Sequence, residues 1–292
     1  MRISQEHYSS FSVFNKGTAE NQLQKQGGKM SDKFKETVTV VEQKCIAADI
    51  YDLTLLTENI AEHARPGQFV SVYSNQADKI LPRPISLCGI DKEKKTIRLV
   101  YRVTGAGTGT EEFSKLKKGD RISLLGPLGN GFTVEPGKRA FLIGGGIGVP
   151  PMLELAKSMK KSNEADFTVV MGYRNSDTFL LEEFQEQGIS YVATEDGSVG
   201  TRGNVLDAIR ENHLKAEVIY ACGPTPMLRA LKAYAKEQGM TCYISMEERM
   251  ACGIGACLAC VCRSTEKDAH SNVKNKRICK DGPVFLAEEV EL

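Results

Sequence analysis

The sequence predicts a β-barrel followed by an α/β domain with a parallel sheet and a short cysteine-rich C-terminal domain. Three observations carry this prediction. Between residues 35 and 135 lie six short runs rich in Val, Ile, Thr and Tyr, punctuated by Gly, Pro and Asp. Between 138 and 245 such runs alternate with helical patterns. Five of the nine cysteines then fall between Cys252 and Cys279.

Residues 1–33 are polar and aperiodic and read as a disordered tail. Met30 opens the strand-like region and is a candidate natural start, with QGGK before it as the translation of a purine-rich ribosome-binding site. A mass measurement that found Met1 intact would refute that reading. The barrel is expected over 34–136, from ETVTVVEQKCI, DLTLLT, GQFVSVYS, PISLCGI, TIRLVYRV and DRISLLGP. Several of these alternate with period two, the mark of strands with one buried face. A short helix is expected from about Thr110 to Leu116. Over 137–244, AFLIGG, DFTVVMGYR, SYVATED and EVIYACG each precede a helical pattern, which implies a parallel sheet flanked by helices. Residues 245–292 hold the cysteine cluster.

Composition narrows the function. A net charge of +1 gives no basis for binding nucleic acid or an acidic membrane surface. No run of about 18 apolar residues is present to span a bilayer, and MRISQEHYSSFSVF lacks the long apolar stretch of a secretory signal. An odd number of cysteines, clustered in a long chain, points to metal or redox chemistry in a reducing cytoplasm rather than to a disulfide scaffold.

In the α/β half, Gly144, Gly145, Gly146 and Gly148 lie between an apolar strand and a helix that starts near Pro150. Glycines there let backbone approach a pyrophosphate at the helix N-terminus, although any tight turn could use them. Cys222, Gly223 and Pro224 follow the last strand of the alternating pattern, and Thr194-Glu195-Asp196-Gly197 follows another. Open α/β sheets bind ligands at the carboxyl ends of their strands, where all three loops fall. Cys222 reads either as a neighbour of a nicotinamide ring or as a small buried thiol.

In the barrel half, Arg83-Pro84-Ile85-Ser86 opens one strand. Val100-Tyr101-Arg102 ends another and leads into a glycine loop holding Gly107 and Thr108. An arginine fork suits phosphate oxygens, and a hydroxyl can bond a flavin ring nitrogen. Singly, these residues read equally well as a surface arginine and a flexible turn.

Four residues separate Cys252 from Cys257, two separate Cys257 from Cys260, and eighteen separate Cys260 from Cys279. This C-x4-C-x2-C…C spacing is the plant-type arrangement for a [2Fe–2S] cluster. Gly253, Gly255 and Ala256 keep the loop free of bulk. Zinc is the rival, but zinc sites usually present two C-x2-C pairs and only Cys257 and Cys260 form one. Cys262 is left out of the ligand set, since in an extended segment it points away from Cys260.

RPISLCGI, YRVTGAGTGT, GGGIGVPPML, TEDGSVGTRG, ACGPTPML and SMEERMACGIGACLACVC occur in that order. The barrel and α/β pair resembles the ferredoxin-reductase superfamily, with Ile85 where most members have a tyrosine that covers the flavin. Over residues 35 to 290 the set resembles the electron-transfer subunit of the NAD-dependent (class 1B) dihydroorotate dehydrogenases. That resemblance implies a ferredoxin-reductase-like FAD barrel, a Rossmann-like NAD domain and a C-terminal [2Fe–2S] domain. It implies FAD contacts at Arg83, Pro84, Ile85, Ser86, Val100, Tyr101, Arg102, Gly107 and Thr108, and cluster ligation by Cys252, Cys257, Cys260 and Cys279. It further implies an FMN-containing dihydroorotate dehydrogenase catalytic subunit as partner, in a heterotetramer with two copies of each chain. Electrons would run from FMN through the cluster and FAD to NAD+, in pyrimidine biosynthesis. No side chain is assigned an acid–base role. A subunit of a hydrogenase or of a ferredoxin:NADP transhydrogenase is the alternative, and a zinc-stabilised regulatory module is the alternative from another class. The polar stretch before Cys279 is expected to form a long surface hairpin.

Overall fold

Six strands close into an antiparallel barrel: β1 (Phe34–Ala47), β2 (Ile50–Leu56), β3 (Phe69–Tyr73), β4 (Arg83–Asp91), β5 (Thr96–Arg102) and β6 (Arg121–Leu128). Their order around the barrel is β1-β2-β5-β4-β3-β6. The structure is a computed structural model that describes residues 32–267 and 272–292. The expected N-terminal tail, up to residue 31, and the expected hairpin's residues 268–271 lie outside the described residues. Each of the six runs picked out in the sequence is a strand. Period-two alternation sends Leu53 and Leu55 of β2 inward, paired with Leu99 and Ile97 of β5. Full burial of such a side chain contributes roughly 2 kcal/mol. The short helix spans Gly109–Phe113, one residue earlier than expected at its start, because Thr108 Oγ1 accepts from Glu111 N (3.2 Å) and caps it.

The second half is a seven-stranded sheet. Its central strands, β7 (Ala140–Gly145) and β11 (Val218–Cys222), are buried throughout. Both faces are covered by helices, so these strands read as unbroken apolar runs. From β7 the chain steps outward through β8 (Phe167–Tyr173), β9 (Ser190–Thr194) and β10 (Thr201–Arg202), then returns to place β11 on the other side of β7. That reversal opens a crevice at the carboxyl ends of β7 and β11. β12 (Thr241–Ser245) continues the sheet in parallel, and β15 (Val284–Leu286) closes it antiparallel, with Ile244 opposite Phe285. The cysteine segment between them is therefore anchored at both ends in the sheet. Its own β13 (Val261–Arg263) and β14 (Asn275–Arg277) form the expected hairpin.

Charge and burial join the halves. Arg98 on β5 donates to Asp52 (2.7–3.0 Å) on β2 and to Glu183 (2.6 and 2.7 Å) on the helix Leu181–Gln187 of the sheet domain. Glu154, on the helix Val149–Ser162, accepts from Ile90 N of β4 at 3.0 Å.

Candidate functional site

The glycine loops of the sheet domain meet at the crevice. β7 ends in Gly144 and Gly145, a tight turn spans Gly146–Gly148, and the following helix carries Pro150 and Pro151 in its first turn. Proline costs nothing there, since those N–H groups have no helical acceptor. A Cβ on Gly148 would lie 2.4 Å from the Cys222 carbonyl oxygen, and one on Gly145 would lie 2.6 Å from Met227 Sδ. Glycine at these positions lets the two loops close on each other. Between them and the barrel lies a cleft of about 980 Å³, lined by Gly145, Gly146, Gly148, Gly223 and Pro224 together with Arg102 of β5. Gly144 and Cys222 sit behind this lining, opposite one another on β7 and β11. Burial pushes the Cys222 thiol above its ordinary value, the charge of Glu247 adds to the rise, and the Ser245 hydroxyl beside it works the other way.

On the barrel, Pro84 and Ser86 lie on the half-exposed face of β4, whereas Ile85 packs in the barrel core. The Arg83 stem runs along Gly109, where an added Cβ would lie 3.4 Å from Arg83 Cγ and Nε, and Nη1 donates to Leu81 O (2.9 Å). Arg83 is thereby held against the turn that contains Gly107 and Thr108. Gly107 has φ +75° and open space on its Cβ side, so backbone is accessible there. Val100 and Arg102 face the sheet domain. Tyr101, between them, turns into the barrel and donates from Oη to Gln43 Oε1 (2.9 Å), so only its backbone is available to a ligand.

The cysteine loop brings four thiols together in two contacting pairs, Cys252 with Cys257 and Cys260 with Cys279. Backbone N–H groups point at the sulfurs. Ile254 and Ala256 donate to Cys252 Sγ (3.5 and 3.3 Å), Gly255 to Cys279 Sγ (3.1 Å), and Cys279 to Cys260 Sγ (3.4 Å). Gly253 and Gly255 adopt φ of +69° and +85°, which turns successive N–H groups to one side. Partial burial opposes ionisation of Cys252, but these N–H groups and the Cys257 thiol bring its pKa down to about 6. Cys279 goes the other way, to about 12, through burial and the neighbouring Cys260 and Cys252 sulfurs. Among the described residues no three His, Cys, Asp or Glu converge on a point that would hold one metal ion. Cys262 lies on β13 and directs its thiol to Lys276 O (3.5 Å). A thiolate-stabilising loop with four cysteines and sulfur-directed N–H groups fits an iron–sulfur cluster, whose charge such donors offset.

Several contributors escaped the sequence reading. Asn130, just past β6, accepts nothing obvious in sequence, yet its N donates to Gly282 O (2.6 Å) and its Nδ2 to Lys280 O and Asp281 O (3.2 and 3.0 Å). It thus ties the Cys279 turn to the barrel. Gly253 lies against β3 and β6, where an added Cβ would be 2.9 Å from Ser71 Oγ and 3.1 Å from Leu128 Cδ1. Glu247 lines the large cleft opposite Arg102. Only the glycines flanking the cysteines hinted at such close packing.

Three family models match along the chain: an oxidoreductase FAD-binding domain at residues 37–132, an oxidoreductase NAD-binding domain at 142–233, and the iron–sulfur cluster binding domain of dihydroorotate dehydrogenase B at 247–291. The chain is 47% identical over 262 residues to the dihydroorotate dehydrogenase B (NAD(+)) electron transfer subunit of Geobacillus sp. (strain WCH70), covering 88% of this chain and 98% of that one. The chain belongs to the family of dihydroorotate dehydrogenase B electron transfer subunits. The Listeria innocua member is 46% identical over 257 residues, covering 87% of this chain and 97% of its own. A chain of the NADH-dependent reduced ferredoxin–NADP oxidoreductase superposes with a TM-score of 0.78 at 30% identity, covering 88% and 90% of the two chains. The cofactor-binding domains of this electron transfer subunit are thus those for FAD, NAD and an iron–sulfur cluster.

Proposed function

We propose that this subunit carries electrons from an FMN-containing dihydroorotate dehydrogenase subunit through a [2Fe–2S] cluster and FAD to NAD+, in a cytoplasmic heterotetramer with two copies of each chain. The contact of Gly253 with Ser71 and Leu128 carries the reading, because it seats the cysteine loop directly on the barrel. Cys252, Cys257, Cys260 and Cys279 hold the cluster, and their N–H neighbours offset its charge. Arg83 and the Gly107–Thr108 turn take the FAD phosphates, while Pro84 and Ser86 bound its ring. The loops at Gly145–Gly148 and Gly223–Pro224 take the NAD pyrophosphate. A flavin supplies the exchange between one-electron and hydride chemistry, and the protein supplies placement. Cys257 is exposed and is flanked by Ile254 and Leu258, exposed by 45% and 63%. Apolar side chains displayed around an electron entry point suit a docking face for the partner subunit.

Co-purification with the FMN subunit, cofactor analysis and a dihydroorotate assay test this reading. NADH formation that depends on dihydroorotate and on both chains is the expected result. A colourless, zinc-loaded protein would overturn it. The likeness to the ferredoxin–NADP oxidoreductase chain makes ferredoxin and NADP the control pair. Faster turnover with that pair would favour the transhydrogenase alternative.

A further inference from the structure

Among the described residues, one buried side-chain polar atom has no hydrogen-bond partner: the hydroxyl oxygen of Ser71. A buried hydroxyl gives up its hydrogen bonds to water, and folded proteins almost always supply a partner in exchange. A group left over in this way calls for something that completes it.

The position of Ser71 identifies that partner. On β3, Val70 and Val72 face the barrel core, so Ser71 faces outward with Phe69. Phe69 packs among the apolar side chains that surround Cys260 and Cys279. Ser71 is 1% exposed and does not line the large cleft, so bulk water does not reach its hydroxyl. Its neighbours across the sheet, Pro84 on β4 and Leu125 on β6, offer no side-chain acceptor. The cysteine loop lies over it. A Cβ added to Gly253, the residue after Cys252, would be 2.9 Å from Ser71 Oγ.

We propose that the Ser71 hydroxyl donates a hydrogen bond to a sulfur of the iron–sulfur cluster beside Cys252 and thereby raises the cluster's reduction potential, a proposal that rests on the assignment of the cluster to the four cysteines. The donors already directed at the sulfurs are N–H groups of the cysteine segment itself, from Ile254, Gly255, Ala256 and Cys279. Ser71 adds one donor from the barrel. Reduction makes the cluster more negative, and hydrogen bonds to its sulfurs stabilise that added charge. The proton stays on Ser71 throughout, so one electron is gained and no bond is broken. The barrel strand that seats the loop thus also sets how readily the cluster takes an electron.

Ser71→Ala removes the hydroxyl and adds no bulk. In the complete complex, a redox titration followed by electron paramagnetic resonance should find the variant cluster harder to reduce. Its reduced-to-oxidised ratio at a given potential should fall about tenfold, the scale of one hydrogen bond to a charged acceptor. For a one-electron couple that is about 59 mV. In deuterated water, the reduced parent cluster should couple to an exchangeable deuteron that Ser71→Ala lacks. Ser71→Thr keeps the hydroxyl on a strand that suits a β-branched residue, and should restore both the potential and the coupling. Equal cluster potentials in parent and Ser71→Ala would overturn the proposal. A shift confined to the flavin couples would also overturn it, by giving the hydroxyl to the flavin beside Pro84. So would a threonine variant that behaves as the alanine variant does, whether or not the latter keeps its iron. Iron and sulfide contents of the unmodified complex test the underlying assignment separately. A parent without a cluster sinks that assignment, whereas a parent with its cluster and an unmoved potential sinks the Ser71 bond alone.

Discussion

Neutralising Glu154 probes the joint between barrel and sheet. The side chain leaves the helix Val149–Ser162 only 8% exposed, and its Oε2 accepts from Ile90 N of β4 at 3.0 Å. Burial raises its pKa from 4.5 to about 7, against the lowering effects of the Ile90 N–H and Lys157. The fold therefore favours the protonated carboxyl. Its contribution to stability is complete below pH 4.5, where the unfolded chain also binds the proton, and is lost as pH rises through 7. Each pH unit between those values is worth about 1.4 kcal/mol, so the loss amounts to about 3 kcal/mol. Glu154→Gln keeps an acceptor for Ile90 N and cannot ionise. Urea denaturation of the cofactor-loaded chain from pH 4.5 to 8 reads the difference. The variant should gain about 3 kcal/mol on the parent across that window. Parallel curves for the two proteins would refute the burial argument, and a variant weaker at every pH would show that the carboxylate itself holds the joint.

Four further substitutions address the sites. Cys279→Ser should abolish bound iron, whereas Cys262→Ser, whose thiol reaches only Lys276 O, should leave iron content and the visible spectrum unchanged. Gly253→Ala meets Ser71 and Leu128 and imposes φ +69° on a residue with a Cβ, so it should cost about 1–3 kcal/mol and lower iron retention while FAD absorbance persists. Gly148→Ala would press on the Cys222 carbonyl oxygen, forcing the two nucleotide loops apart. It should raise KM for NADH about tenfold, the equivalent of ~1.4 kcal/mol, with FAD and iron contents unaffected.

What could be read from sequence and what could not divide along a physical line. Features repeated within a few residues were legible: period-two alternation for the six barrel strands, glycine between strand and helix, and cysteine spacing for the thiol loop. Features that depend on which distant strands become neighbours were not. β12 and β15 are five and three residues long, too short for a periodic signal, and they become strands because β11 and β12 offer them an edge. Tyr101 shows what alternation adds to a motif-level reading. Val100, Tyr101 and Arg102 were expected together at the flavin, but in a strand the middle residue must face the opposite side, and its hydroxyl is satisfied by Gln43, 58 residues away in sequence.

The same reasoning explains why the cysteine segment works as part of this chain. Alone, residues 245–292 would offer five thiols and one short hairpin, with little else to hold them in place. Here the segment begins at β12, ends in β15, and is pinned between them by Asn130 at the Cys279 turn and by Ser71 and Leu128 under Gly253. Three of these anchors come from the FAD-binding domain at 37–132, so the same domain also positions the cysteine loop. A mutation that loosens Asn130 should therefore weaken retention of iron before it weakens retention of FAD, because the thiol loop depends on the barrel while the barrel closes without the loop.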